Sequence, residues 1–278
     1  QEDGVSMRAV LGVALVGLVV CVGCERDPVA TITAMGGHVR VDKNGAAVGV
    51  GFDDNRGGDQ VTDAGLEHLK GMTKLVALHF DGQKVTDVGM AHLQGLVNLE
   101  NLSLRRTQIT DSGLVHLEGL TNLTHLALSY TKVTDAGLVH LEGLTELQKL
   151  YLSYTKVADA GLEHLEGMTK LKELWLSNTK VTDAGLAHLK GLTNLQKLAL
   201  WSTKITDAGL EHLKGLKNLG LLVIAGTMVT DAGLEHLEGL RELRTLYLVD
   251  PRHLTNAKVT PAGVKQLQQA LPNCKIQH

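Results

Sequence analysis

The sequence predicts an α/β solenoid, a curved parallel sheet backed by short helices, and three observations predict it. A motif built on V/I-T-x-x-G starts at Val61, Val85, Ile109, Val133, Val157, Val181, Ile205 and Val229, each start 24 residues after the last. Within each unit a Leu-x-x-Leu-x-Leu run, such as Leu147, Leu150 and Leu152, has the alternation of a short strand. A helical segment follows, with Leu138 and Leu141 three apart and Gly143 after it. One such unit cannot bury its own apolar face, so neighbours must stack.

The elements follow in chain order. Met7 and Arg8 precede AVLGVALVGLVVCVGC, which ends at Cys24. A cationic start followed by about 15 apolar residues, short of the roughly 20 of a spanning helix, reads as an export signal over residues 1–24. Its end resembles a bacterial lipobox in which Cys24 would carry the lipid, although Cys21 stands where that pattern has Leu or Val. An ordinary signal peptide cut nearby is the alternative. Residues 25–60 read as a linker and a capping hairpin, His38-Val-Arg-Val and Ala46 to Phe52 around the turn Lys43-Asn-Gly. The repeats occupy 61–258, with a six-residue insertion before a ninth motif at Val259. Residues 259–278 read as a C-terminal cap with a longer helix and a last strand.

Within a unit, Thr134 is placed to cap the helical segment and Asp135 to sit in its first turn. Gly143 is placed at a left-handed exit. The Asp column, Asp63 to Asp231, therefore reads as helix capping rather than calcium binding.

The pattern L-x-x-L-x-L-x-x-T-x-V-T-D-A-G-L-x-x-L resembles that of leucine-rich repeat proteins, and is similar to the bacterial VTDAGL-type and ribonuclease-inhibitor-like branches. The resemblance covers Val61 to about Ile276. It implies a concave sheet that recognises a protein partner. Thr107, Thr131, Thr155, Thr179, Thr203 and Thr227 stand where many relatives carry a buried asparagine ladder, leaving each site one hydroxyl donor for a turn carbonyl.

Composition excludes several function classes. A net charge of −3 gives no electrostatic basis for holding a phosphate backbone, so nucleic acid is not expected as a partner. No phosphate loop, nucleophile elbow or HExxH is present, and the expectation is a non-catalytic chain without cofactor or metal. One histidine per unit, His68 to His236, reads as a half-buried repeat residue rather than a metal ladder. Protonating these histidines together is expected to crowd like charges on one face and lower stability below about pH 6.

What the repeat does not specify is the sheet surface. Three positions per unit, one inside the strand and two after it, face the concave side or its rim. All four tyrosines and both tryptophans fall there. Tyr130, Tyr151, Tyr154, Trp175 and Trp201 occupy four consecutive units, with Arg105, Arg106 and His79 on the N-terminal side. Grouped Tyr, Trp and Arg are the residues of binding hot spots. The expected function is non-catalytic binding of a protein partner at the cell envelope, the membrane being touched only through the N-terminal anchor. A glycan-binding module and a structural scaffold whose rings merely stack on the sheet are the alternatives.

Overall fold

The computed structural model describes residues 27–52, 61–249 and 258–278; the stretch read from sequence as an export signal, with Cys24, and most of the six-residue insertion lie outside the described residues. The strands are β1 (His38–Val41), β2 (Ala47–Gly51), β3 (Ala77–His79), β4 (Asn101–Ser103), β5 (His125–Ala127) and β6 (Lys149–Tyr151). They continue with β7 (Glu173–Trp175), β8 (Lys197–Ala199), β9 (Leu221–Val223), β10 (Thr245–Tyr247) and β11 (Lys275–Gln277). Together they form one sheet in sequence order, antiparallel between β1 and β2 and parallel thereafter. The chain is an α/β solenoid, with sheet on one side and short helices on the other.

Each strand from β3 to β10 buries its central leucine and turns the residues on either side to the opposite face. Leu126, Leu150, Leu174 and Leu198 are fully buried, and they line up with the core leucines, valines and isoleucines of every unit. Register is kept without slip, so Ala127, Tyr151, Trp175 and Ala199 are direct neighbours across β5 to β8. The Thr column works as its chemistry requires: Thr107, Thr131, Thr155, Thr179, Thr203 and Thr227 each donate to the carbonyl three residues back at 2.6–2.7 Å.

At the N-terminal end, a helix at Pro28–Ala34 lies in the stretch read from sequence as linker. Asp27 accepts from Val29 N–H to cap it, Pro28 starts it, and Ile32 is fully buried. Phe52 stacks on Phe80 with ring centres 5.5 Å apart, joining the β1–β2 hairpin to the first unit. At the other end the helix Pro261–Ala270 precedes β11, and Cys274 is buried beneath it.

Two expectations about the convex side are corrected. In six of the eight units the helical segment is one α turn followed by one 3₁₀ turn, as in Asp135–Leu138 and Val139–Leu141. Closed this way, the segment needs no left-handed exit: Gly143 and its equivalents keep ordinary φ, and in that column only Gly71 is left-handed.

The Asp column is not chiefly a helix cap. Each carboxylate reaches forward into the next unit, as where Asp111 accepts from both the N–H and the hydroxyl of Thr134 at 2.7 Å. The glycine of the same motif makes room for it: a Cβ on Gly137 would lie 2.5 Å from Asp111 Oδ1.

Three of the histidines meet a carboxylate of the preceding unit. Seven of the eight are half-buried. His140, His164 and His188 face Glu118, Glu142 and Glu166 of the preceding units with Nδ1 2.6, 2.6 and 2.7 Å from a carboxylate oxygen.

Candidate functional site

Side chains alternate along each three-residue strand, so the residues flanking the buried leucine emerge on the concave face. Beyond the strand the backbone continues the ladder. The N–H groups of Arg106, Tyr130, Tyr154, Asn178 and Ser202 donate to carbonyls of Ser129, Ser153, Ser177, Trp201 and Ala225 in the following unit, at 2.8–3.0 Å. Making that bond while turning away from the sheet requires a left-handed residue. These five non-glycine residues have φ of 54–62°, a conformation that costs an L-residue about 1–2 kcal/mol. At either end of the run the same column holds Gly82 and Gly226, with φ of 73° and 66°.

Two aromatic layers result. Arg106, Tyr130, Tyr154 and Trp201 form a wall: the Arg106 guanidinium lies 5.3 Å from the Tyr130 ring centre. Tyr130 stacks on Tyr154 at 4.1 Å and 11°, and Tyr154 meets Trp201 at 6.0 Å and 52°. The second layer is the pair Tyr151 and Trp175 within β6 and β7, 6.0 Å apart. Wall and floor enclose a concave cavity of about 610 Å³. His79, Arg105, Tyr130, Tyr151, Tyr154, Trp175 and Trp201 all line it, and Arg106 stands behind Tyr130.

A charged strip runs along the adjoining strand positions. Glu173 accepts from Lys197 at 3.1 Å and from the Tyr151 hydroxyl at 3.2 Å, with Lys149 at 3.5 Å. Burial pushes the Glu173 carboxyl up, but the two lysines and the tyrosine outweigh it and hold the group below its ordinary value. Burial, reinforced by Glu173, pushes the Tyr151 hydroxyl up to about 12. Burial also lowers His125, with Lys149 adding to the effect. At the N-terminal end Asp81 accepts from the Ser103 hydroxyl and, at 3.3 Å, from Arg105 N–H.

Sequence reasoning missed two features of this site. One is the left-handed run, although glycine at both ends of the third column was a legible signal. The other is a set of buried polar atoms without a partner among the described residues: Ser153 Oγ and Trp175 Nε1, both in the cavity lining, and Asn178 Nδ2 on the adjacent rim. Among the described residues no group of three or more His, Cys, Asp or Glu is placed to hold a metal. No helix among them is long and apolar enough to cross a membrane.

Known proteins share this architecture. A leucine-rich repeat family model matches residues 97–157, and a two-copy leucine-rich repeat model matches 145–191. No curated protein sequence gave a match. Among solved structures, an internalin C2 from Listeria monocytogenes is similar at 23% identity and TM-score 0.58, over 79% of this chain and 90% of that one. A leucine-rich repeat protein of Leptospira interrogans is similar at 20% identity and TM-score 0.58, over 79% and 58%. A plant peptide hormone receptor, RGFR1 in complex with RGF2, is similar at 15% identity and TM-score 0.55, over 86% and 39%. At these identities the likeness is one of fold. Leucine-rich repeat models thus match within residues 97–191, and the unbroken 24-residue register and the parallel sheet give the chain the fold of a leucine-rich repeat solenoid.

Proposed function

We propose that the chain binds a protein partner, without catalysis, through the concave aromatic cavity bounded by Tyr130, Tyr151, Tyr154, Trp175 and Trp201. Solenoids of this class commonly serve as binding scaffolds, their stacked units presenting one extended surface. The observation that carries the finer reading is the wall itself: two tyrosines and an arginine are held in left-handed backbone where glycine would be unstrained. All five residues of the run carry that strain, and at Arg106, Tyr130 and Tyr154 the side chains it retains pack on one another as the wall.

The wall also favours protein over glycan. Sugar rings stack on open aromatic faces, but Tyr130 has Arg106 over its ring and Tyr154 packed parallel against it. It presents an edge and a hydroxyl, the aspect suited to peptide backbone and side chains. Export through the N-terminal segment, with Cys24 as a lipid anchor or with simple cleavage of the signal, would set this surface at the cell envelope.

The test is affinity capture from an envelope extract of the source organism. It compares residues 25–278 with a variant carrying Tyr154→Ala, Trp175→Ala and Trp201→Ala that is folded by circular dichroism. A protein retained only by the unaltered chain supports the reading. Equal retention by both, or retention of polysaccharide alone, overturns it.

A further inference from the structure

The cavity is chemically lopsided in a way that names its occupant. Its buried polar atoms without a partner among the described residues are Trp175 Nε1, which can only donate, and Ser153 Oγ, in a residue only 9% exposed. Asn178 Nδ2, on the rim beside Tyr154, is a third donor without a partner among the described residues. A buried donor left unmatched is unfavourable, and the group that matches it must bring acceptors.

Charge points the same way. The whole chain is acidic at −3, yet the cavity and its border carry Arg105, Arg106, Lys149 and Lys197 against Asp81 and Glu173. Both acids are already engaged, Asp81 by Ser103 and the Arg105 backbone, Glu173 by two lysines and Tyr151. Arg105 is exposed, lines the cavity and pairs with no carboxylate among the described residues.

Resting on the protein-binding reading, we propose that the occupant is an extended peptide segment bearing carboxylate side chains. One carboxylate meets Arg105 at the N-terminal end of the cavity. Farther along, backbone carbonyls or a second acid accept from Trp175 Nε1 and Asn178 Nδ2, between the Tyr151–Trp175 floor and the Tyr130–Tyr154–Trp201 wall. The binding energy would be divided between ring contacts, which tolerate sequence, and the donors and arginine, which select acid.

The test measures fluorescence anisotropy of labelled degenerate decapeptide pools with glutamate, glutamine or lysine at alternate positions, alongside labelled glycan strands from digested peptidoglycan. The expected result is that the glutamate pool binds about tenfold tighter than the glutamine pool and weakens severalfold as salt is raised. Arg105→Gln, at an exposed position, should erase the difference between those two pools. Trp175→Phe keeps the ring, removes the donor and should weaken the glutamate pool about tenfold. Equal binding of the glutamate and glutamine pools, preference for lysine, or no binding by any pool at millimolar protein overturns the inference. If the pools bind alike and the aromatic variant loses them all, the acidic inference fails while protein binding stands. If glycan strands alone bind, both fail.

Discussion

Asp207 accepts from the backbone N–H and from the hydroxyl of Thr230, 23 residues on, at 2.7 Å each. Gly233 is what lets the carboxylate in, since a Cβ there would lie 2.3 Å from Asp207 Oδ1. The same clasp joins successive units from Asp63–Thr86 to Asp231–Thr260, with one exception. At Ala158 the hydroxyl is missing, and Asp135 keeps only the backbone bond, at 2.6 Å.

Ala158→Thr should therefore complete the clasp. The added charge-assisted hydrogen bond is expected to stabilise the chain by about 1 kcal/mol, which for a protein of this size is about 2–4 °C in melting temperature. Differential scanning calorimetry checks it; an unchanged or lower melting temperature would contradict the role assigned to the hydroxyl.

Gly233→Ala should act in the opposite sense. The methyl group must displace the Asp207 carboxylate, and the expected loss is about 1–3 kcal/mol by denaturant titration, from the broken bonds and the crowding. Adding Asp207→Ala to Gly233→Ala should cost less than the two single losses combined, because both act on one contact.

The left-handed column makes a prediction that separates strain from use. Ser202 is exposed at φ of 55°, so Ser202→Gly should stabilise by about 0.5–1 kcal/mol, the relieved strain less the greater chain entropy of glycine. Tyr154→Gly relieves the same strain but deletes a ring packed on Tyr130 and Trp201, and should be neutral or destabilising. Thermal melts of the two variants side by side decide the matter.

Glu173 supplies the pH dependence. Its folded carboxyl lies below its ordinary value near 4.5, so its contribution is present above that value and is lost as pH falls through the lowered folded one. Between pH 6 and pH 3 the unaltered chain should lose more stability than Glu173→Gln, measured by urea titration at each pH. In alkaline titration Tyr151 should be the tyrosine that resists ionisation to about pH 12, and Glu173→Gln should bring it down.

Leucines spaced for a pleat, a threonine with one carbonyl in reach and an unbroken period leave little freedom, so the sheet and its column order could be read from the residues. Where a side chain reached across units, reading one unit at a time misled. Asp135 looks like a cap in its own helix and acts on Ala158, while His164 looks like a half-buried residue of its own unit and faces Glu142 of the preceding one. At the site, the alternation that brings out Tyr151 and Trp175 is a property of any strand. The conformation of Tyr130 and Tyr154 is not, because left-handed backbone there arises from a hydrogen bond to the following unit and is invisible in local propensity.

Because each clasp takes its acid from one unit and its threonine from the next, any two units meet through the same seam. Excising residues 205–228 would bring Asp183 against Thr230 and close the gap with an equivalent joint. The array can thus be lengthened or shortened by whole teeth, like a rack, with its interior undisturbed. Only between Arg105 and Trp201 would the order of the teeth matter to the proposed binding surface, which spans them.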